Sequence, residues 1–174
     1  MAKVVVMGVA GSGKSLLAGR LGARLACVAV EGDHYHMPAS EAKMRAGIPL
    51  DDADRDPWLA RIGEMLAAQA GDIVVACSAL KRRYREQLRR HVPDLRFVYV
   101  EIDVHTAAER VEARSGHLFP KSLVTSQFAT LESPVGEEGV LTVSATLPTE
   151  TQVDTVCRWL APTYSELADT RSET

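Results

Sequence analysis

A chain of 174 residues, 46% apolar and 25% charged, fits one globular domain with a packed core and excludes a collagenous, disordered or membrane-embedded composition. Its net charge of −3 and pI near 6.0 argue against duplex nucleic acid as a partner, which calls for a basic stripe. Cys27, Cys77 and Cys157 are an odd set in separate apolar runs and read as reduced core thiols, while Val4 to Met7 is too short for a signal peptide or membrane span, so the expectation is a cytoplasmic protein.

In chain order, Lys3 to Met7 is a short apolar strand, followed by a glycine-rich turn and a helix carrying Leu17, Leu21 and Leu25. Cys27 to Glu31 predicts a second strand, expected beside the first, and Ala39 to Ala46 a helix that Gly47 stops. Asp56-Pro57 reads as an N-cap and first helical residue, opening a helix through Ala70. Asp72 to Cys77 is a third strand, and Ser78 is a candidate cap for a helix with Lys81, Tyr84, Arg85 and Leu88 on one face. Leu95 to Ile102 predicts a fourth strand, Thr106 to Arg114 and Pro120 to Leu131 two helices, and Val140 to Val143 a fifth strand. A last helix carries Val153, Val156, Cys157 and Leu160, and Thr163 to Thr174 is a polar, acidic tail expected to fray. Strands alternating with helices give an α/β fold: a parallel sheet with helices on both faces.

Gly8-Val9-Ala10-Gly11-Ser12-Gly13-Lys14-Ser15 matches the phosphate-loop pattern G-x-x-x-x-G-K-S between a predicted strand and helix. Glycines let backbone N–H groups turn inward around phosphate oxygens, and the following helix presents its positive end. Lys14 is then placed for the β- and γ-phosphates, and Ser15 for Mg²⁺. Glu31 and Asp33 stand two apart at a strand's carboxyl end, where open α/β sheets bind ligands. If strand geometry persists both point the same way, with Asp33 as base or hydroxyl-orienting group and Glu31 as a water-mediated Mg²⁺ partner.

Ser78, Lys81 and Arg85 outline either an anion pocket or a solvated basic face, given Arg82, Arg83, Arg89 and Arg90 nearby. The acidic cluster Asp51, Asp52, Asp54 and Asp56 reads as favouring the start of the Pro57 helix. Arg110 and Arg114 stand one turn apart before Ser115-Gly116-His117, either as arginines closing over phosphates or as ordinary partners of a helix end.

Beyond the phosphate loop, the chain carries Gly32-Asp33 and His36; Lys43-Met44 and Gly47; Pro49-Leu50; Asp54-Arg55 with Pro57-Trp58-Leu59; and Cys77-Ser78-Ala79-Leu80-Lys81 with Tyr84-Arg85. Arg114 with Gly116-His117, Ser126-Gln127-Phe128 and Leu131-Glu132 with Pro134 follow. In these pieces the chain, from about residue 4 to 143, resembles the gluconokinase family, relatives of shikimate kinase within the nucleoside-monophosphate-kinase-like group. It departs from the family pattern at Met37, which intervenes before Pro38, at Ser40, and at Glu31, where many relatives carry aspartate.

The resemblance implies a P-loop kinase sandwich of three αβα layers with five parallel strands: one domain over 1–162, a helical lid near 114–134, and the 163–174 tail. It implies transfer of the ATP γ-phosphoryl group to D-gluconate, giving 6-phospho-D-gluconate, with Mg²⁺ and commonly a homodimer. Lys14, Asp33 and Arg114 would be catalytic, and Gly8, Gly11, Ser12, Gly13, Lys14, Ser15 and Arg110 would hold the nucleotide. Asp33, His36, Arg55, Ser78, Lys81, Arg85, His117 and Gln127 would meet substrate, and Ser15 and Glu31 the metal. Rival readings are a kinase of another hydroxy acid or of a nucleotide, and a non-catalytic nucleotide switch.

Overall fold

The structure, a computed structural model, describes residues 1–114 and 121–161. Five strands, β1 (Lys3–Met7), β2 (Val28–Glu31), β3 (Ile73–Ala76), β4 (Arg96–Glu101) and β5 (Val140–Ser144), form one sheet in the order β2-β3-β1-β4-β5. Every pairing is parallel. The helices are α1 (Lys14–Arg24), α2 (Pro38–Arg45), α3 (Asp52–Ala68), α4 (Arg82–His91), α5 (Val104–Ala113), α6 (Lys121–Thr130) and α7 (Thr149–Leu160), with a short 3-10 turn over Gly32–Tyr35.

The strand period of two sorts the core into two halves. Val4 and Val6 face one cluster with Leu17, Leu21, Val98, Val153 and Val156, which joins α1 and α7 to the sheet. Val5 and Met7 face the other with Trp58, Ile62, Leu66, Tyr84, Leu88 and Phe97, which joins α3 and α4. The result is the expected three-layer αβα arrangement.

One expectation about strand order fails: β2 lies beside β3, not β1. An inner parallel strand is covered on both faces and needs an uninterrupted apolar run. Ile73-Val74-Val75-Ala76 supplies it and is buried throughout, whereas β2 begins with exposed Val28 and Ala29 and takes the edge.

Two helix starts also differ. Helix α3 begins at Asp52, not Pro57, because Asp51 is its N-cap: the Asp51 carboxylate accepts from the Asp54 N–H (2.9 Å) and the Asp54 carboxylate from the Asp51 N–H (3.0 Å). This capping box satisfies the first free donors, and Pro57 is carried inside the helix. Helix α4 begins at Arg82 with Lys81 at its N-cap position, so Ser78 is not its cap; Ala79 sits at φ 43°, in left-handed geometry that interrupts any helix there. Instead the Glu132 carboxylate accepts the Arg82 N–H at 2.8 Å. Among the described residues no helix is long and apolar enough to cross a membrane.

Candidate active site

The parallel sheet brings the carboxyl ends of β1, β2 and β3 to one edge, and the site is built there. Residues Gly8 to Ser15 leave β1 and enter α1, with Gly13 as the helix N-cap. Gly8, Gly11 and Gly13 have φ of 150°, 81° and 90°, backbone that side-chain-bearing residues rarely adopt. At Gly11 a Cβ would also stand 2.6 Å from the Ala107 carbonyl oxygen, so α5 packs directly against the loop. Ser12 is buried, and its hydroxyl has no hydrogen-bond partner among the described residues.

Strand β3 separates β2 from β1 by one strand position, so the carboxyl end of β2, with Glu31 and the turn that carries Asp33, lies across the end of β3 from the phosphate loop. The Cys77 thiol marks the junction: burial pushes it up to about 12, and Asp33, Lys14 and Glu31 all act on it electrostatically. Strand geometry does not persist past Glu31, because the 3-10 turn begins at Gly32, so the expected alternation of Glu31 and Asp33 is lost. Gly32 permits that turn against β3: a Cβ there would lie 2.5 Å from the Ala76 carbonyl oxygen.

The turn is locked from α3. The Trp58 indole N–H donates to the Gly32 carbonyl (2.8 Å), and the Trp58 ring stacks on His36 with centroids 4.2 Å apart. His36 Nε2 then lies 3.5 Å from an Asp33 carboxylate oxygen, while its Nδ1 is buried without a partner among the described residues. Packing around Asp33 pushes its carboxyl pKa up, but the His36 hydrogen bond and the charges of Lys14 and His34 outweigh this and hold it below the usual value. Asp33 is thus a carboxylate held below its usual pKa, within electrostatic reach of the phosphate-loop lysine. One Glu31 oxygen is buried with no partner among the described residues, an orphaned acceptor that would fit a magnesium ion reached through water.

The loop Cys77 to Lys81 emerges from β3 between these groups. Lys81 donates to an Asp52 oxygen (3.0 Å), and the Tyr84 hydroxyl donates to the same oxygen. Arg55 is buried, with its guanidinium 5.6 Å from the Tyr84 ring centre and a single long hydrogen bond, 3.4 Å, to the Tyr84 hydroxyl. Its remaining donors have no protein partner among the described residues, a buried cation with capacity to spare.

Arg85 is placed differently. Its side chain is 0% exposed and its guanidinium donates to the Ala79, Leu80 and Glu132 carbonyls and doubly to the Glu137 carboxylate. That fills its donor capacity, so the expected substrate contact is replaced by a clamp between the Cys77–Lys81 loop and the segment after α6.

Arg110 donates to the Ala145 carbonyl (3.0 Å) after β5, and exposed Arg114 follows as the C-cap of α5. Gln127 lies on α6, and its carboxamide oxygen accepts the Ala10 N–H of the phosphate loop at 2.7 Å. Ser78 is half-buried in the β3 loop. His117 lies outside the described residues. Sequence reasoning did not assign Trp58, Tyr84, Asp52 or Glu137 to the site. Trp58 and Tyr84 had a readable signal, a polar-tipped aromatic on an apolar stripe, whereas Glu137 carries none.

A five-stranded parallel sheet with a phosphate loop on its central strand, and a low-pKa carboxylate within electrostatic reach of that loop's lysine, defines a P-loop phosphotransferase. Comparison with known proteins narrows the class. A family described as an AAA domain matches residues 4–134. The gluconokinase of Gluconobacter oxydans is 48% identical over 144 residues, covering 81% of each chain. A crystal structure of a gluconokinase from Sinorhizobium meliloti superposes with TM-score 0.84 at 41% identity, covering 98% of this chain and 95% of that one. The unliganded structure of a sugar kinase from a Janibacter species gives TM-score 0.86 at 36% identity, covering 92% and 94%. The chain belongs to the gluconokinase family.

Proposed function

We propose that this protein transfers the γ-phosphoryl group of ATP to the 6-hydroxyl of D-gluconate, giving ADP and 6-phospho-D-gluconate. The observation that carries the reading is the low-pKa Asp33 carboxylate within electrostatic reach of Lys14 at one sheet edge, in a chain 48% identical to a gluconokinase. A nucleotide-binding switch has no use for a substrate-side carboxylate of this kind.

The Asp33 carboxylate accepts a hydrogen bond from the 6-hydroxyl, aligns its oxygen with the γ-phosphorus, and takes the proton as the bond to phosphorus forms. His36, stacked on Trp58, keeps that carboxylate in place. The inward-facing N–H groups of Gly11 to Ser15 and the Lys14 ammonium hold the phosphates and offset the charge that builds on the leaving ADP. Magnesium, held by Ser15 and through water by Glu31, would supply further charge neutralisation on the phosphates when bound. Arg55, with donors to spare, and Lys81, which would turn from Asp52, suit the gluconate carboxylate. Arg114, with His117 close behind in sequence, is the candidate for the transferred phosphoryl group, and Arg110 for the nucleotide.

The same reading makes the protein a homodimer in the reducing cytoplasm, with residues 114–134 as the lid of a single domain. Sedimentation at micromolar concentration checks the dimer. For the activity itself, ADP release is measured with gluconate, other sugar acids, shikimate and nucleoside monophosphates. Gluconate is expected to give the highest kcat/KM; turnover with none of them refutes the reading.

A further inference from the structure

We propose that Gln127 is a positioning residue for phosphoryl transfer that acts through the phosphate loop and not on the acceptor. A backbone N–H can only donate, so the group facing Ala10 is the carboxamide oxygen of Gln127, and the 2.7 Å bond joins α6 to the loop across 117 positions. Ala10 lies between Gly8 at φ 150° and Gly11 at φ 81°, on the limb that leads into the N–H groups of Gly11 to Ser15. Within that limb the described backbone bonding is slight, a single Ser12 N–H to Val9 carbonyl contact at 3.3 Å. The limb's shape is therefore set from outside. On one side the α5 backbone presses against Gly11 at Ala107. On the other, Gln127 holds Ala10.

Gln127 sits on the anchored end of the proposed lid. Leu123 and Val124 on α6 are buried, and just beyond α6 the Glu132 N–H donates to the Leu80 carbonyl at 2.9 Å. Gln127 thereby ties the phosphate loop to the same segment that Arg85 and Glu137 clamp to the acceptor-side loop, so the two halves of the site share one mount. Phosphoryl transfer depends mainly on placing the phosphates and the attacking oxygen in line, so a loop limb free to turn lowers the rate without any lost contact to the acceptor. The Ala10 bond engages the Gln127 oxygen with the loop, and in the proposed site gluconate recognition rests on Arg55 and Lys81.

The proposal rests on the nucleotide-binding reading of Gly8 to Ser15, and the test separates the two. Amide hydrogen exchange at Ala10 is followed by NMR without nucleotide, and ADP affinity by calorimetry, in wild type, Gln127→Met and Gln127→Glu. Methionine keeps the length and removes the acceptor; glutamate keeps an acceptor oxygen. Expected are a protected Ala10 amide in wild type and Gln127→Glu, and fast exchange in Gln127→Met. ADP binding in Gln127→Met weakens about tenfold to a hundredfold, the scale of one lost buried hydrogen bond, while the gluconate KM stays nearly constant. An unprotected Ala10 amide in wild type, unchanged exchange in Gln127→Met, or a raised gluconate KM with unchanged ADP affinity overturns the proposal. Wild type that protects Ala10 yet binds no ADP instead overturns the nucleotide reading.

Discussion

Replacing Arg85 by methionine is expected to damage stability, not gluconate recognition. The Arg85 side chain is 0% exposed and the Glu137 side chain 15%, and their double hydrogen bond is joined by three carbonyl contacts. Methionine takes the hydrogen-bond donors from the Glu137 carboxylate and from the Ala79 and Glu132 carbonyls, while the Leu80 carbonyl keeps the Glu132 N–H and Arg89 stays 3.9 Å from Glu137. Breaking one side of a buried ion pair costs about 3–5 kcal/mol. For a chain of this length each kcal/mol lowers Tm by roughly 2–4 °C, so the expected fall is about 6–20 °C.

The pH dependence gives the sign. The Arg85 hydrogen bond holds the Glu137 carboxyl below its usual pKa, so the pair's contribution is complete above the carboxyl's unfolded pKa and fades as pH drops through the lower folded value. The penalty of Arg85→Met should therefore shrink in acid. Urea denaturation at neutral and acid pH, with Glu137→Gln and the double variant closing a mutant cycle, measures this coupling. Kinetics below the lowered Tm complete the case. A variant with wild-type Tm and a gluconate KM raised about tenfold, worth some 1.4 kcal/mol of binding, would refute the reasoning and return Arg85 to the substrate.

Asp33→Asn should lower kcat by about 10²–10⁴-fold, the usual worth of a positioned acid or base, with ADP affinity nearly unchanged; wild-type turnover would remove Asp33 from the chemistry. Arg55→Met and Lys81→Met should each raise the gluconate KM roughly tenfold to a hundredfold and spare ATP, since each removes a charge-assisted donor; steady-state titration of both substrates decides. Gly11→Ala should abolish nucleotide binding and unfold at lower temperature than Gly13→Ala. Both residues have left-handed backbone, but a Cβ at Gly13 meets nothing within 4 Å whereas one at Gly11 strikes the Ala107 carbonyl; equal Tm values for the two variants would contradict that contact.

What the sequence made legible was local. The phosphate loop is eight consecutive residues whose glycines and lysine state their own geometry, and β1 and β3 announce themselves as apolar runs. Strand order was not legible, because adjacency is settled by which strands can tolerate burial on both faces, and only a comparison of β2 with β3 shows it. Arg85 was misread for an instructive reason. By position Arg85 reads equally as part of an anion pocket or of a solvated face, and the family resemblance implies substrate contact, yet a face shared with Tyr84 and Leu88 is the packed one, and an arginine on it must find internal partners. Its partner Glu137 is 52 residues away and nothing local points to it. The α3 start was legible in retrospect: Asp51-x-x-Asp54 is a capping box written with aspartate in place of glutamate, and the Asp56-Pro57 signal downstream obscured it.

The most direct test of the account is the ³¹P NMR spectrum of the protein turning over ATP and D-gluconate. The account predicts loss of the γ resonance matched mole for mole by a phosphomonoester triplet, split by the two protons on C6. A doublet from a secondary alcohol, or inorganic phosphate alone, would contradict it.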